Sequence, residues 1–519
     1  MEAVKKWRFW ESHVLWLSLS ILFTGASGLV YEYLLSTAAS YIMGNSIEQF
    51  SITIAMMLLF MGIAGYWQKN ISDKNLIEKF VLIEGLLSLI GGLCIIIVYF
   101  AFGRMVNYEL VYYLLISLIG FLIGLEIPIV LRINERYVNK LKDNISFIYS
   151  ADFIGSFIGA LVWIYVLLKH FTLIQIGFIT SMVNLVVAFI TFMVFSDKIS
   201  KVSKTVLGIF LGSILVIDVF GLTFSKKIEP FLQKPLYKDP VIFHKHTLYQ
   251  DIAITKNPKT GDIRLFINGN LQFSSLDERL YHEFLIHPVM SLSQSHRNVL
   301  ILGGGDGLAL REVLKYDDVD HVTLVDLDPE MIHIAKTYLA KLNNHSFDDP
   351  RVTVINEDAE KFVSENQYKK RFDVVIIDLP DPSIIELNKL YSVEFYSKLH
   401  NILNKNGLIV IQSTSPWFAP KAFKCIKVTL EASGFKTLPY HYEIPSFGDW
   451  GFIIAYEPNT KVDVRSFKLK VDTHFLNKQL FIASLSFPKH WYQDKQVEVN
   501  SVLNPVLVKY YNYESWLTW

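Results

Sequence analysis

The stretch NVLILGGGDGLALREVLK, Asn298 to Lys315, decides the fold. A strand-like run, Asn298 to Leu302, enters Gly303, Gly304, Gly305, Asp306 and Gly307, and a helix-forming segment follows at once. Glycines let the backbone turn sharply from strand to helix and approach a bound nucleoside closely. Asp326 lies about 20 residues on, closing the next strand, where an acid can accept both ribose hydroxyls. Gly303, Gly305 and Gly307 give G-x-G-x-G, not the G-x-G-x-x-G of dinucleotide folds, which favours a sulfonium nucleoside of the S-adenosylmethionine type. On the glycines alone, a tight structural turn is the competing reading.

Outward from this stretch, HVTLVDLD, RVTVINED, FDVVIIDL and GLIVIQS alternate with helical segments, the signature of a doubly wound, largely parallel α/β sheet of methyltransferase-like type. Upstream, LYQDIAITKNPKTGDIRLFINGNLQF (248–273) reads as a small antiparallel sheet joined by Asn-Pro, Thr-Gly and Asn-Gly turns. Ser274, Ser275 and Asp277 are cap candidates for the helix that follows. Up to about Phe224 the chain is instead a series of apolar runs, about seven, each near the ~20 residues that cross a bilayer. Mean hydropathy of +0.32 agrees with a part that lies in lipid. The expected order is a multi-pass transmembrane bundle over 1–225, a β-sheet subdomain over 240–275, an α/β catalytic domain over 276–458 and a C-terminal extension over 459–519. The formal net charge is +0, so nothing global calls for nucleic acid, and 2 cysteines offer neither a disulfide framework nor a thiolate metal site.

Asp378-Leu379-Pro380-Asp381-Pro382 directly follows the buried-type strand VVIID. Ligands of open α/β sheets bind beyond the carboxyl ends of the strands, so Asp378 and Asp381 should face the same crevice as Asp306 and Asp326. Converging carboxylates suit a polycationic substrate. A primary amine, with a pKa of ~10.4, is protonated at neutral pH and cannot attack until a base takes its proton. Strand-end capping is the plain alternative for the pair. Asp358, closing VTVINED, stands where a carboxylate could accept from an adenine amino group, or is simply a polar loop residue.

Several of these segments occur together and in order: YQDIAIT, GNLQFSSLDERLYHE, LILGGGDGLALREVLKY, LVDLDPE, NEDA, IIDLPDP, LYSVEFY and PSFGDWGF. From Tyr249 to about Ala455 the chain resembles the spermidine synthase family, and its N-terminal half resembles the membrane-integral branch of that family. The resemblance implies transfer of the aminopropyl group of decarboxylated S-adenosylmethionine to a diamine, putrescine being the expected acceptor, with spermidine and 5′-methylthioadenosine as products and no other cofactor. It makes Asp378 the proton acceptor and Asp381 its amine-binding companion. Asp306 would contact the amine; Gln250, Asp326, Asp358 and Ala359 would bind the nucleoside; Tyr281 and His282 would line the amine channel. The chain departs from the family where Leu379 and Pro380 separate the paired aspartates and where Ile385 replaces a product-contacting proline. Ile444 also precedes Pro445 where an aromatic is usual, leaving Tyr442 as its substitute.

His282, Glu283 and His287 suggest a zinc site, but the spacing is HExxxH, and at ~3.6 residues per turn the histidines diverge by about 140°, so no metal is expected. Trp417 and Trp450 are read either as core or as stacking partners for the ligand. Glu32, Glu84, Glu126 and Asp152 lie inside apolar runs, where acids pair with one another or face a cavity. Gly120-x-x-x-Gly124 and Ala151-x-x-x-Gly155-x-x-x-Gly159 read as close helix packing. Two rival functions are a methyltransferase on the same fold and a transporter or sensor with a non-catalytic amine-binding domain. Repulsion between the extra carboxylates and a carboxylate-bearing cosubstrate opposes the first; a base at the attack position opposes the second. The expected partners are the sulfonium nucleoside, a polyamine and the lipid bilayer, with a homo-oligomer left open. Lys and Arg cluster in alternate loops, which with seven crossings puts the C-terminal domain outside the cell. A cytosolic cosubstrate and the lysines after the last run favour the inside, so the expectation is a multi-pass cell-membrane protein with a cytoplasmic catalytic domain. That requires one run to be re-entrant or paired, Asp152 and Asp218 marking the two that suit lipid least.

Overall fold

Seven helices form the N-terminal part of the computed structural model, which describes residues 2–43, 46–104, 107–137, 140–233, 237–365, 368–489, 491 and 497–512. They are α1 (Glu2–Met43), α2 (Ser46–Trp67), α3 (Leu76–Gly103), α4 (Tyr108–Asn134), α5 (Leu141–Val162, continued by a π turn to His170), α6 (Leu173–Val194) and α7 (Lys201–Gln233). Each contains a span long and apolar enough to cross a bilayer. All seven runs read from the sequence, including those holding Asp152 and Asp218, are helices of membrane-spanning length and apolarity. The small-residue stripes pack helices closely. A Cβ at Gly155 or Gly159 of α5 would fall 2.0 and 2.5 Å from the Leu22 and Ala26 carbonyl oxygens of α1, and one at Gly120 of α4 would fall 2.9 Å from Met57 O of α2.

The chain divides into two compact units at Ile242 and Phe243. In the second, β1 (Val241–His246), β2 (Asp251–Lys256), β3 (Ile263–Ile267) and β4 (Asn270–Ser274) make a four-stranded sheet in sequential order, with β2, β3 and β4 antiparallel. Helix α8 (Glu278–Leu292) follows, then a seven-stranded sheet in the order β10-β11-β9-β8-β5-β6-β7. Its strands are β5 (Asn298–Gly303), β6 (His321–Asp326), β7 (Val352–Asn356), β8 (Phe372–Asp378), β9 (Leu403–Gln412), β10 (Lys436–Ile444) and β11 (Gly448–Tyr456). β7, β6, β5, β8 and β9 are parallel, whereas β11 and β10 run antiparallel at one edge. The sheet is thus largely parallel with an antiparallel edge: β10 returns to β11 through the tight turn of Pro445–Phe447, a connection too short for a crossover. Both faces are covered, and β8 is buried along its length up to Asp378.

The residues beyond Asn459 pack on this second unit. Glu283, buried on α8, accepts from the backbone N–H groups of His474, Phe475 and Leu476 at 2.6, 2.8 and 2.8 Å. Asn500 donates to Tyr391 O at 3.0 Å and accepts from Leu507 N at 3.2 Å.

Candidate active site

Strand register sets the site. Strand order reverses at β5, which pairs β6 on one side and β8 on the other, and the last residue of β5, Gly303, is the register partner of Asp378. This reversal is the crevice where doubly wound folds bind ligands. Gly303 has φ +81°, and a Cβ there would meet the Asp378 carbonyl oxygen at 2.2 Å, so only glycine fits; Gly304 N then donates to that oxygen at 2.9 Å. A Cβ at Gly305 would lie 2.4 Å from Asp326 Oδ2, so the loop and the end of β6 come together only because that carbon is missing.

Tyr281, on α8, donates its hydroxyl to Asp378 Oδ1 at 2.8 Å. Its neighbour His282 is buried, with Nδ1 2.7 Å from Glu278 O and 3.0 Å from Glu278 Oε2. Burial lowers the affinity of His282 for a proton, but the bond to Glu278 and the negative charges of Glu278, Asp306 and Asp378 outweigh it, and its pKa rises to about 9. His282 is therefore an imidazolium at neutral pH. Burial pushes Asp378 above the usual carboxylate range, partly offset by the charge of His282 and the Tyr281 hydroxyl. Asp306 rises to about 6, chiefly from burial, with His282 opposing and Asp378 assisting. One of its oxygens caps the following helix at Leu308 N, 2.9 Å away. Asp381 also rises to about 6 by burial, against hydrogen bonds from Tyr511 Oη (2.8 Å to Oδ2) and Gln412 Nε2 (3.2 Å to Oδ1).

Asp378, Asp306, Tyr281 and His282 thus form one charge-coupled group, with Asp381 on the segment leaving β8. The residues expected to bind the nucleoside lie along the next strands. Asp326 accepts from Asp328 N at 2.9 Å and rises to about 6, chiefly by burial. Gln250, on the β1–β2 connection, donates to Asp328 Oδ2 at 3.0 Å. Asp358 caps the helix Ala359–Ser364 through Glu360 N and Lys361 N, and Lys389 Nζ sits 2.6 Å from its Oδ2. Burial would raise Asp358, but Lys389 and the two amides more than offset it and hold it below the usual range. Ala359, buried, begins that helix.

Sequence reasoning missed three sets of residues. Tyr511 and Asn512 come from the helix Val506–Asn512, and Asn512 Nδ2 donates to Ser383 O at 2.7 Å. Gln412 ends β9, a polar residue at a strand terminus on the ligand edge, which was a readable signal. Behind His282, Arg311 binds Glu278 through two bonds of 2.8 and 2.9 Å and Glu312 at 2.9 Å, and Glu312 reaches His287 at 3.0 Å. The HExxxH residues are thereby accounted for: His282 and His287 pair with different glutamates, and Glu283 holds backbone amides. Trp450 is core, packed on Phe447 at 5.1 Å, while Trp417 is half exposed and lines a surface cavity with Tyr442, Glu443 and Asp449. Tyr442 also stacks on Phe284 at 4.1 Å, and Ile385 is exposed.

Residues 278–466 match the spermine/spermidine synthase domain family. The chain is 39% identical over 504 residues to a polyamine aminopropyltransferase of Leptospira interrogans, covering 96% of this chain and 98% of that one. It is 38% identical to polyamine aminopropyltransferase 1 of Streptomyces coelicolor, covering 95% and 93%. Among solved structures, spermidine synthase from Thermotoga maritima is 29% identical with a TM-score of 0.45, covering 49% of this chain and 86% of that one.

Proposed function

The chain belongs to the polyamine aminopropyltransferase family, and from that membership we propose the following chemistry for its own residues. The cosubstrate is decarboxylated S-adenosylmethionine and the acceptor a diamine, with putrescine as the expected one. A neutral nitrogen of the diamine attacks the carbon next to the sulfonium; the C–S pair leaves on sulfur as 5′-methylthioadenosine, and the proton lost by nitrogen passes to the Asp378 carboxylate. The thioether leaves as a neutral molecule, so positioning and proton removal are the protein's main tasks.

The observation that carries this reading is the convergence of Asp378, Asp306 and the His282 imidazolium at the reversal of strand order, with Asp381 just beyond. A carboxylate raised by burial is a better proton acceptor than one in water, and Tyr281 fixes its orientation. Asp381, with Asp306, holds the ammonium that does not react. Asp326, Gln250 through Asp328, and Ala359 receive the nucleoside; Asp358 joins them once its oxygen exchanges Lys389 for the adenine amino group. The test is incubation of the purified chain with decarboxylated S-adenosylmethionine and a panel of amines, with products read by mass. Addition of one aminopropyl group to putrescine is expected, and addition of a methyl group would overturn the reading.

Tyr511 is a positioning residue for Asp381. Hydrogen bonds to charged groups contribute about 1.5–3 kcal/mol, so Tyr511→Phe is expected to raise KM for the amine by about tenfold or more while leaving kcat and methylthioadenosine affinity near wild type. A kcat loss without a KM change would contradict it.

We also read the seven helices as a multi-pass membrane domain with the catalytic unit on the cytoplasmic side, where the cosubstrate is made. Their length and apolarity support the crossing. Cysteines placed at Ser196 and Asn459 test the side. Asn459→Cys is expected to resist an impermeant thiol reagent in intact cells; labelling there with Ser196→Cys protected would put the catalytic unit outside.

A further inference from the structure

Apart from the catalytic unit, the helix bundle buries three acidic side chains among its polar groups. Glu84 on α3, Glu126 on α4 and Asp218 on α7 are 0%, 2% and 1% exposed. Among the described residues none of them has an ion-pair partner. Asn184 Nδ2 donates to Glu84 Oε2 at 2.9 Å, and Ser181 Oγ donates to Asp218 Oδ2 at 2.7 Å, with Ser88 Oγ 2.7 Å from Ser181 Oγ. Glu84 and Glu126 lie within hydrogen-bonding reach of one another, yet two carboxylates can join only through a shared proton or an outside donor.

The remaining acceptors have nothing to accept from. Glu84 Oε1, Glu126 Oε1, Asp218 Oδ1 and Asn184 Oδ1 meet no donor among the described residues, and the Tyr31 hydroxyl, on α1 and wholly buried, also has no partner. Tyr31 is within electrostatic reach of Glu84, Glu126 and Asp218 alike, so these groups share one region of the bundle interior. Gly92 lets Asp218 and Ser181 approach α3 closely: a Cβ there would stand 3.1 Å from Asp218 Oδ1 and from Ser181 Oγ. Charged side chains in such an interior cost several kcal/mol unless matched, about 2.5–3.5 kcal/mol each at the centre of a bilayer. Five helices thus present more acceptors than the described residues supply donors for, an arrangement that suits a cation bringing its own N–H groups.

We propose that the helix bundle binds a linear polyamine in its interior, one ammonium on the Glu84–Glu126 pair and another on Asp218, with Asn184 and Tyr31 accepting further N–H bonds. A metal ion fits less well: among the described residues no three acidic, histidine or cysteine side chains are close enough together to ligate one. Separated carboxylates match a cation whose charges are spaced along an alkyl chain. The choice of a polyamine rests on the reading of the catalytic unit; the need for an oligocation does not.

Spermidine titrated calorimetrically into the full-length Asp378→Asn/Asp381→Asn chain in detergent tests this, because the catalytic amine site is then disabled. One residual spermidine site is expected. Adding Glu126→Gln with Asp218→Asn should weaken it at least tenfold, and so should Gly92→Ala, which changes space but no charge. Glu84→Gln is the fallback if the double change does not fold, and methylthioadenosine binding by each variant reports that the catalytic unit is intact. No residual site, a residual site indifferent to every bundle substitution, or its displacement by equimolar Mg²⁺ would each overturn the proposal. The amine-panel assay on the unmodified chain judges the catalytic reading separately.

Discussion

Asp378→Asn is expected to lower turnover by about 10²-fold or more while methylthioadenosine binds as before. Asparagine keeps the volume and still accepts the Tyr281 hydroxyl, now 2.8 Å from Asp378 Oδ1, and the main-chain bond from Gly304 N is untouched. What disappears is the capacity to take a proton. Because burial holds the carboxyl above its ordinary value, the unmodified chain should lose kcat as pH falls through that raised pKa, and the asparagine chain should lack that limb. Single-turnover rates against pH, beside methylthioadenosine titrations, measure both. Full activity in the variant would remove Asp378 as the base.

Glu278→Gln should cost about 3–5 kcal/mol of stability in the catalytic unit, since it removes the hydrogen-bonded counter-charge of buried His282 and one of the two carboxylates on buried Arg311. Arg311 and His282 both lean on that carboxylate, all three being at most 4% exposed. The pH dependence has a definite sign. His282 has its pKa raised from 6.5 to about 9 in the folded chain, so its contribution is complete below about 6.5 and is lost as pH rises through about 9. Glu278 is held below its ordinary value: burial raises it, but His282 and Arg311 prevail, so its share is lost only as pH falls into the acid range. Denaturation midpoints across pH 6 to 10 should therefore decline in the unmodified chain and stay nearly flat in Glu278→Gln. Equal slopes would show that His282 does not depend on Glu278.

The parts of the site that could be read in the sequence are those whose placement is local. Gly303 to Gly307, Asp326 and Asp378 sit at strand ends, and strand ends of a parallel sheet share one edge whatever the loops do. The seven helices were legible because bilayer thickness sets a length that apolar runs reveal directly. Tyr511 was not, since nothing near it in sequence marks a residue that will meet Asp381 across the fold. The two edge strands β10 and β11 were not among the strands read from the sequence, and a strand's apolar content does not tell its direction. Glu84, Glu126 and Asp218 could be noticed one by one as acids in apolar runs, but their meeting depends on how helices pack, which periodicity does not report. The spacing of His282, Glu283 and His287 argued against a metal, but not that the partners of the first two would be Glu278 and three backbone amides.

Tyr511 is separated from Asp381 by 130 residues of chain, and a ribosome adds residues in that order. At about 5–20 residues per second, roughly 7–26 s pass between the synthesis of the acid and of the phenol that orients it. Throughout that interval the hydrogen bond that orients the Asp381 carboxylate cannot form. The contact on Asp381 is therefore among the last of this site that synthesis can complete.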